Sequence, residues 1–284
     1  MRVAVTGASG LVGHPVAAGL LRRGHEVTTL CRAPVPLPGA GHRAYTLGDR
    51  PDLSGIDALV HAAFSHVPGK YRGGEGDDPQ GFLRSNLDGS LALFDAARQA
   101  SVPHVVFLSS RAVYGPNPPG TSLHEEMTPR PDTLYGEVKL AAEEALAAMA
   151  ADFESAVSLR ATGVYGPPPP ARAHKWADLF KAFARGDEVA PRAGTEVHAD
   201  DLCAAIDRVL GARDRPAPLY NVSAFVLDRH DLLACYARIA GLSIAPPPRA
   251  DTTSLNAMST QRLRQLGWQP RGAETLKRDL RAML

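Results

Sequence analysis

Tyr135 and Lys139 stand four residues apart in the run Tyr135-Gly136-Glu137-Val138-Lys139. On a helix that spacing puts a phenol and an ammonium on one face. A free tyrosine keeps its proton to about pH 10 and is a poor base at neutrality. A neighbouring ammonium favours the phenolate, so the pair predicts a lowered tyrosine pKa and a group that takes or gives a proton. Upstream, Ser109-Ser110 close the apolar run Val105–Leu108, the place where a strand presents residues to a substrate. A hydroxyl at Ser110 would hold a substrate oxygen while Tyr135 moves the proton.

A second constellation lies at the start of the chain. In Thr6-Gly7-Ala8-Ser9-Gly10-Leu11-Val12-Gly13, Gly7, Gly10 and Gly13 allow a sharp turn, close approach to a pyrophosphate and tight helix-on-sheet packing. The intervening Ser9, Leu11 and Val12 would offer backbone N–H groups at a helix N-terminus, whose dipole favours phosphate. An ordinary strand-to-helix turn also uses glycine; the position between a strand and a helix favours the phosphate reading. A dinucleotide fits such a loop, with Lys139 available to the nicotinamide ribose. The run Glu26–Leu30 should end near the adenosine ribose, where an acid would select NAD. Cys31-Arg32 stands there instead, which leans towards NADP over NAD; a merely solvated Arg32 is the alternative. His61-Ala62-Ala63 ends another strand in small residues, letting a ribose or flat ring approach, although dense packing explains Ala62 and Ala63 equally well. His61 reads as a structural histidine, since no second ligand sits at metal-binding spacing; no metal site is expected.

The elements that must position these residues can be read from periodicity. Strands are expected at Val3–Thr6, Val27–Leu30, Ala58–His61, Val105–Leu108 and Ala156–Leu159, alternating with helices at Val12–Arg23, Phe82–Gln99 and Tyr135–Met149. The pattern predicts an α/β fold, a Rossmann-type doubly wound parallel sheet with ligands along its C-terminal edge. Gly166 and the prolines 167–170 form a stiff loop. Beyond it come helices at Trp176–Arg185, Asp201–Leu210 and Arg229–Ala240 with few strands. Residues 1–165 are thus expected to bind cofactor and carry the catalytic groups. Residues 166–284 would be mainly a small C-terminal substrate-binding lobe, the two forming one compact unit.

Bulk properties narrow the function. The 284 residues are 44% apolar with a formal net charge of +1, enough for a sizeable core and without the basic block that nucleic acid would require. Cys31, Cys203 and Cys235 are odd in number and far apart, fitting a reduced, cytoplasmic setting rather than a disulfide framework. The chain opens on a strand-like run, so no signal peptide is expected, and no apolar stretch approaches a membrane span.

The ordered motifs TGASGLVG at 6–13, HAA at 61–63, SNLDGS at 85–90, FLSSRAVYG at 107–115, YGEVK at 135–139, LRATGVYGP at 159–167, HADD at 198–201 and LGWQP at 266–270 run through nearly the whole chain. In them the sequence resembles the extended short-chain dehydrogenase/reductase family, the NAD(P)-dependent epimerase/dehydratase group. The resemblance implies Ser110, Tyr135 and Lys139 as catalytic triad. It implies that Asn86 helps fix the active-site helix, that Arg160 and His198 border the substrate lobe, and that a homodimer pairs the helices Phe82–Gln99 and Tyr135–Met149. Asn86 read locally is a helix anchor, Asp200 or Asp201 an N-cap, Tyr114 and Tyr165 packing residues, and Arg160 equally an ion-pair partner. Ser65, His66, Arg111 and Trp176 complete a polar, mixed pocket suited to a hydroxylated small molecule. Two departures bear on the substrate. The acid–base pair that follows the catalytic hydroxyl in 4,6-dehydratases is Arg111-Ala112 here, which argues against water elimination. Gly163 replaces the asparagine that nucleoside-diphosphate binders carry, and the segment before HADD is short. An oxidoreductase or epimerase of a sugar-like, possibly nucleotide-linked, substrate is expected; the alternatives are an NADPH-dependent reductase or dehydrogenase of a non-sugar carbonyl compound and, from another class, a non-catalytic NADP sensor.

Overall fold

The computed structural model describes residues 1–67, 70 and 73–284. In chain order its elements are β1 (Arg2–Thr6), α1 (Gly13–Arg22), β2 (Glu26–Cys31), β3 (Gly41–Ala44), β4 (Ala58–His61), α2 (Pro79–Leu83), α3 (Gly89–Gln99), β5 (His104–Ser110), α4 (Leu134–Ala148), β6 (Ser155–Ala161), β7 (Gly163–Tyr165), α5 (Ala177–Ala184), β8 (Ala193–His198), α6 (Ala199–Leu210), β9 (Leu219–Val222), β10 (Phe225–Asp228), α7 (Arg229–Ala240), α8 (Gln261–Gln265) and α9 (Leu276–Met283). Among the described residues, seven strands form one parallel sheet in the order β3-β2-β1-β4-β5-β6-β9.

The period of two along each strand sorts side chains to the two faces. Val3, Val5, Val60, Val106 and Val157 meet Val16 and Leu20 of α1 and Leu202, Ile206 and Val209 of α6. The intervening Ala4, Leu59, Val105, Phe107 and Ala156 meet Leu93 and Phe94 of α3 and Ala142 and Leu146 of α4. Covered on both faces, the sheet is the doubly wound Rossmann-type arrangement that alternating strands and helices foreshadow.

The three other strands among the described residues build a second sheet, β10-β8-β7, with β7 parallel and β10 antiparallel to β8. It belongs to a lobe whose core is Tyr165, Trp176, Phe180, Phe183, Leu227, Leu233 and Leu280. The few strands after residue 165 do not all serve the lobe: β8, β9 and β10 lie beyond it, and β9 pairs with β6 in the main sheet. These strands are four to six residues long, and their core contacts come from elements distant in sequence. A further departure is the expected single helix 82–99. It is α2 followed by a π-helical turn, Arg84–Asp88, and then α3.

Candidate active site

The glycine loop is fixed by what it touches. Gly7 has φ +69°, and a Cβ there would lie 2.8 Å from the backbone of Ala63 and 2.9 Å from that of Ala62. Only glycine adopts that conformation at little cost, and only small residues at the end of β4 permit the approach. Thr6 locks the arrangement: its Oγ1 accepts the amides of Ala62 and Ala63, each at 3.0 Å. With both acceptor positions filled, the Thr6 hydroxyl donates to His61 Nδ1 (2.8 Å), leaving Nε2 to donate to Ser90 Oγ (2.9 Å). Ser90 in turn donates to the Asn86 carbonyl (2.5 Å). His61 is fully buried and its pKa is pushed down to about 3, by burial first and by Lys139 second. It is a neutral strut beneath the loop. No cluster of metal-ligating side chains occurs among the described residues.

Helix α1 begins at Gly13, and no side chain caps it, nor does an acid sit in its first turn. Helices α4, α6 and α7, by contrast, are capped by Thr133, His198 and Asp228. An uncapped N-terminus behind a three-glycine loop is a place where a phosphate could be held. Ser9 and Ala8 reach the Cys31 thiol at the end of β2, so the adjoining Arg32, which is exposed, stands beside the loop. Leu11 is exposed on it.

At the same edge of the sheet, β5 delivers Ser110. Its Oγ accepts the Ala112 amide (3.1 Å), capping the turn Arg111–Tyr114, and it hydrogen-bonds the Tyr135 phenol. Tyr135 reaches it because Gly136 lets α4 close on that turn: a Cβ at 136 would lie 2.8 Å from the Ala112 carbonyl oxygen. Lys139, one helical turn on and 4% exposed, donates from Nζ to the Leu108 carbonyl (2.7 Å). That Nζ lies 4.3, 4.7 and 6.0 Å from the ring centres of Phe64, Phe107 and Tyr135. Ser110, Tyr135 and Lys139 are therefore brought together. The expected lowering of the Tyr135 pKa is not what the protein alone produces. Burial raises it and the Ser110 hydrogen bond only partly opposes that, while burial brings Lys139 down to about 7 against the favourable pull of Glu143. A half-charged lysine is a weak electrostatic partner for the phenol.

The other sequence-predicted residues divide into two groups. Ser109, next to Ser110, is buried, and its Oγ has no hydrogen-bond partner among the described residues. Ser65 and His66 are exposed on the loop after β4, and Ser65 is clamped at both backbone groups by the Asn86 side chain (2.7 and 2.8 Å). Asn86 thus shapes the site through that loop. Arg111 donates to the Asn256 carbonyl (2.9 Å), tying the segment before Met258 to the turn that Ser110 caps. The expected substrate residues Arg160, Trp176 and His198 are each engaged by other groups of the protein. Arg160 is 3% exposed and paired bidentately with buried Glu143 (2.7 Å at best), over the Tyr114 ring (4.7 Å). Burial opposes its charge, but Glu143 holds it on. Trp176 stacks on Tyr165 (5.1 Å) inside the lobe, and His198 meets Tyr165 edge-on while accepting the Asp200 amide as an N-cap. At Gly163 the place of a side chain is filled by the Lys175–Glu196 ion pair, 2.5–2.6 Å from an ideal Cβ.

Two functional neighbours were missed from sequence. Glu143 follows Lys139 by one helical turn in an alanine-rich helix, a spacing that marks it as facing the same buried strand. Phe64 directly follows the small pair at 62–63 and touches both Tyr135 and Lys139.

Comparison with known proteins places these features. The chain is 33% identical over 183 residues to a UDP-glucose 4-epimerase of Corynebacterium glutamicum, a match that spans 58% of this chain and about half (53%) of that relative. It is 32% identical over 240 residues to a dTDP-6-deoxy-L-talose 4-dehydrogenase (NAD(P)(+)) of Kitasatospora kifunensis, covering 76% of this chain and 71% of the relative. Among solved structures, MoeE5 in complex with UDP-glucose and NAD superposes with a TM-score of 0.80 at 27% identity, over 99% of this chain and 98% of that one. Residues 3–223 match the NAD dependent epimerase/dehydratase family, and the chain belongs to that family.

Proposed function

We propose that the chain is an NAD(P)-dependent oxidoreductase or epimerase acting on a hydroxyl or carbonyl of a sugar-like, nucleotide-linked substrate. The observation that carries this is the convergence of Ser110, Tyr135 and Lys139 at the sheet edge that also holds the Gly7 loop. The residues fit a dinucleotide: the uncapped α1 N-terminus with Gly7, Gly10 and Gly13 suits the pyrophosphate, Ala62 and Ala63 leave room beside it, and Ser109 Oγ is a buried hydroxyl without a partner among the described residues. A bound nicotinamide accepts or returns a hydride. Ser110 holds the substrate oxygen, Tyr135 moves the proton on and off that oxygen, and Lys139 holds the nicotinamide ribose. The exposed Arg32 after β2, with no acid in its place, favours a 2′-phosphate and hence NADP.

Arg111 and Ser65 border the substrate; Arg160, Trp176 and His198 act behind it, holding β6 and the lobe. We take residues 1–165 with α6 and β9 as the cofactor-binding unit and the rest of 166–284 as the substrate lobe. The exposed Leu91 on α3, near Met149, suits a homodimer through α3 and α4, read by sedimentation at micromolar concentration. Three buried, unpaired cysteines suit a reducing cytoplasm.

A second reading, reduction of a non-sugar carbonyl compound, is favoured by Gly163, where the Lys175–Glu196 pair stands in place of the asparagine. Identifying the nucleotide released on denaturation separates the two. Retained NAD indicates a cofactor recycled in place, and an empty site that binds NADPH reversibly indicates a reductase. Tyr135→Phe should cut turnover by about a thousandfold or more, the upper part of the range for acid–base catalysis, with cofactor affinity nearly unchanged. Full turnover in that variant refutes the assignment of Tyr135.

A further inference from the structure

We propose that Phe64 is a positioning residue: its ring is the cover that holds Lys139 dry beside Tyr135 and thereby sets the pH at which that lysine changes charge. This rests on the reading of Lys139 as part of the reactive site. Phe64 stands edge-on to Tyr135 (5.0 Å between ring centres) and to Phe82 (5.5 Å), and its ring centre is 4.3 Å from Lys139 Nζ. Phe82 is itself buried at the end of α2, so the ring is wedged between two elements. Opposite it, Phe107 of β5 closes the other side of the ammonium, and the Leu108 carbonyl accepts a hydrogen bond from Nζ. One wall of this chamber is therefore a single side chain on the loop after β4, the same loop that Asn86 clamps at Ser65.

The groups facing Lys139 do not account for its low proton affinity by charge. Glu143 on its own helix attracts the ammonium. His61 on β4 and His66 on the following loop are both disfavoured as cations by Lys139, and Tyr135 is neutral. The aromatic rings also attract a cation. Lys139 nonetheless falls from 10.5 to about 7, so loss of water outweighs every attraction around it. The cover matters more than the ring's charge distribution.

That ordering gives the test. The chain has five lysines, Lys70, Lys139, Lys175, Lys181 and Lys277, few enough to follow individually by 13Cε-lysine NMR, with Lys139→Met assigning the signal. In the native protein Lys139 should titrate near pH 7. Phe64→Ala opens the chamber and should raise that midpoint by at least one pH unit. Phe64→Leu restores an apolar cover without the ring and should return it to the native value or slightly below. An unchanged midpoint in Phe64→Ala, with circular dichroism showing a native fold, overturns the proposal; so does a Leu variant that behaves like Ala. NADH fluorescence titration of the same proteins keeps the two readings apart. Loss of all nucleotide binding in the native chain would sink the function proposed above while leaving the NMR result for Phe64 intact.

Discussion

Replacing Gly7 by alanine should do far more damage than its single added methyl group suggests. The backbone there sits at φ +69°, a conformation that costs an L-residue about 1–2 kcal/mol. The new Cβ would also lie 2.8–2.9 Å from three backbone atoms of Ala62 and Ala63, against about 3.5–4.0 Å at optimal separation. Backbone cannot swing aside as a flexible side chain does, so the loop must retreat, stretching the Thr6 bonds to both amides. Forced overpacking of that kind adds about 1–3 kcal/mol. The alanine chain's lower entropy in the unfolded state returns about 0.4–1 kcal/mol. The net expectation is about 2–4 kcal/mol, read by urea denaturation, together with NADH affinity weakened at least about tenfold, equivalent to about 1.4 kcal/mol. Gly24→Ala is the control, because Gly24 has φ +84° but, among the described residues, nothing within 4 Å of an ideal Cβ. It carries the conformational cost alone, at most about 1–2 kcal/mol, and leaves nucleotide binding untouched. If Gly7→Ala and Gly24→Ala prove equal in stability and in nucleotide affinity, the close seating of the loop on β4 is refuted.

Two further outcomes follow from buried charge. Glu143→Ala strands Arg160 without its partner and should cost about 3–5 kcal/mol in chemical denaturation, while Glu143→Leu combined with Arg160→Met recovers most of the loss; additive losses in the double variant would contradict a shared ion pair. Because His61 is depressed to about 3 from its ordinary 6.5, the unfolded chain takes up a proton below pH 6.5 that the folded chain refuses. Stability is therefore unaffected above pH 6.5 and drains away below it, by about 2 kcal/mol at pH 5. Denaturation midpoints at pH 5 and pH 7.5 for the native chain and His61→Gln measure this, and an equal pH dependence in both would show that His61 is not responsible.

What could be read from the sequence was whatever depends on neighbours along the chain. Runs such as Ala58–His61 and Val105–Leu108 announce buried parallel strands by composition alone, and the glycine loop and the Tyr135–Lys139 spacing declare themselves by local geometry. The strands that went unread are those whose identity comes from a distant partner. Gly41–Ala44 is polar and half-exposed at the sheet edge, and Leu219–Val222 is a strand because β6 lies beside it. The same holds within the site. Arg160 looks like a ligand-binding residue until Glu143 is found across from it, and Trp176 and His198 look available until Tyr165 is found between them. The tyrosine's proton affinity also depends on how dry the helix is, which the spacing of Tyr135 and Lys139 does not reveal.

The placement of β9 has a consequence for how the protein is made. Its partner β6 ends at Ala161, yet β9 begins only at Leu219, with β7, α5, β8 and α6 synthesised in between. Throughout that interval the nascent sheet presents Ser158–Ala161, later paired with Leu219–Val222, as an unpaired edge able to recruit any extended segment. Pairing across so long a separation is slow. The prolines 167–170 and 216 and 218, which cannot donate to a strand ladder, stand guard near both ends of the gap. A polypeptide ended after residue 165 would keep Ser110, Tyr135 and Lys139 and still expose that edge permanently, so aggregation would be the first symptom of the missing half.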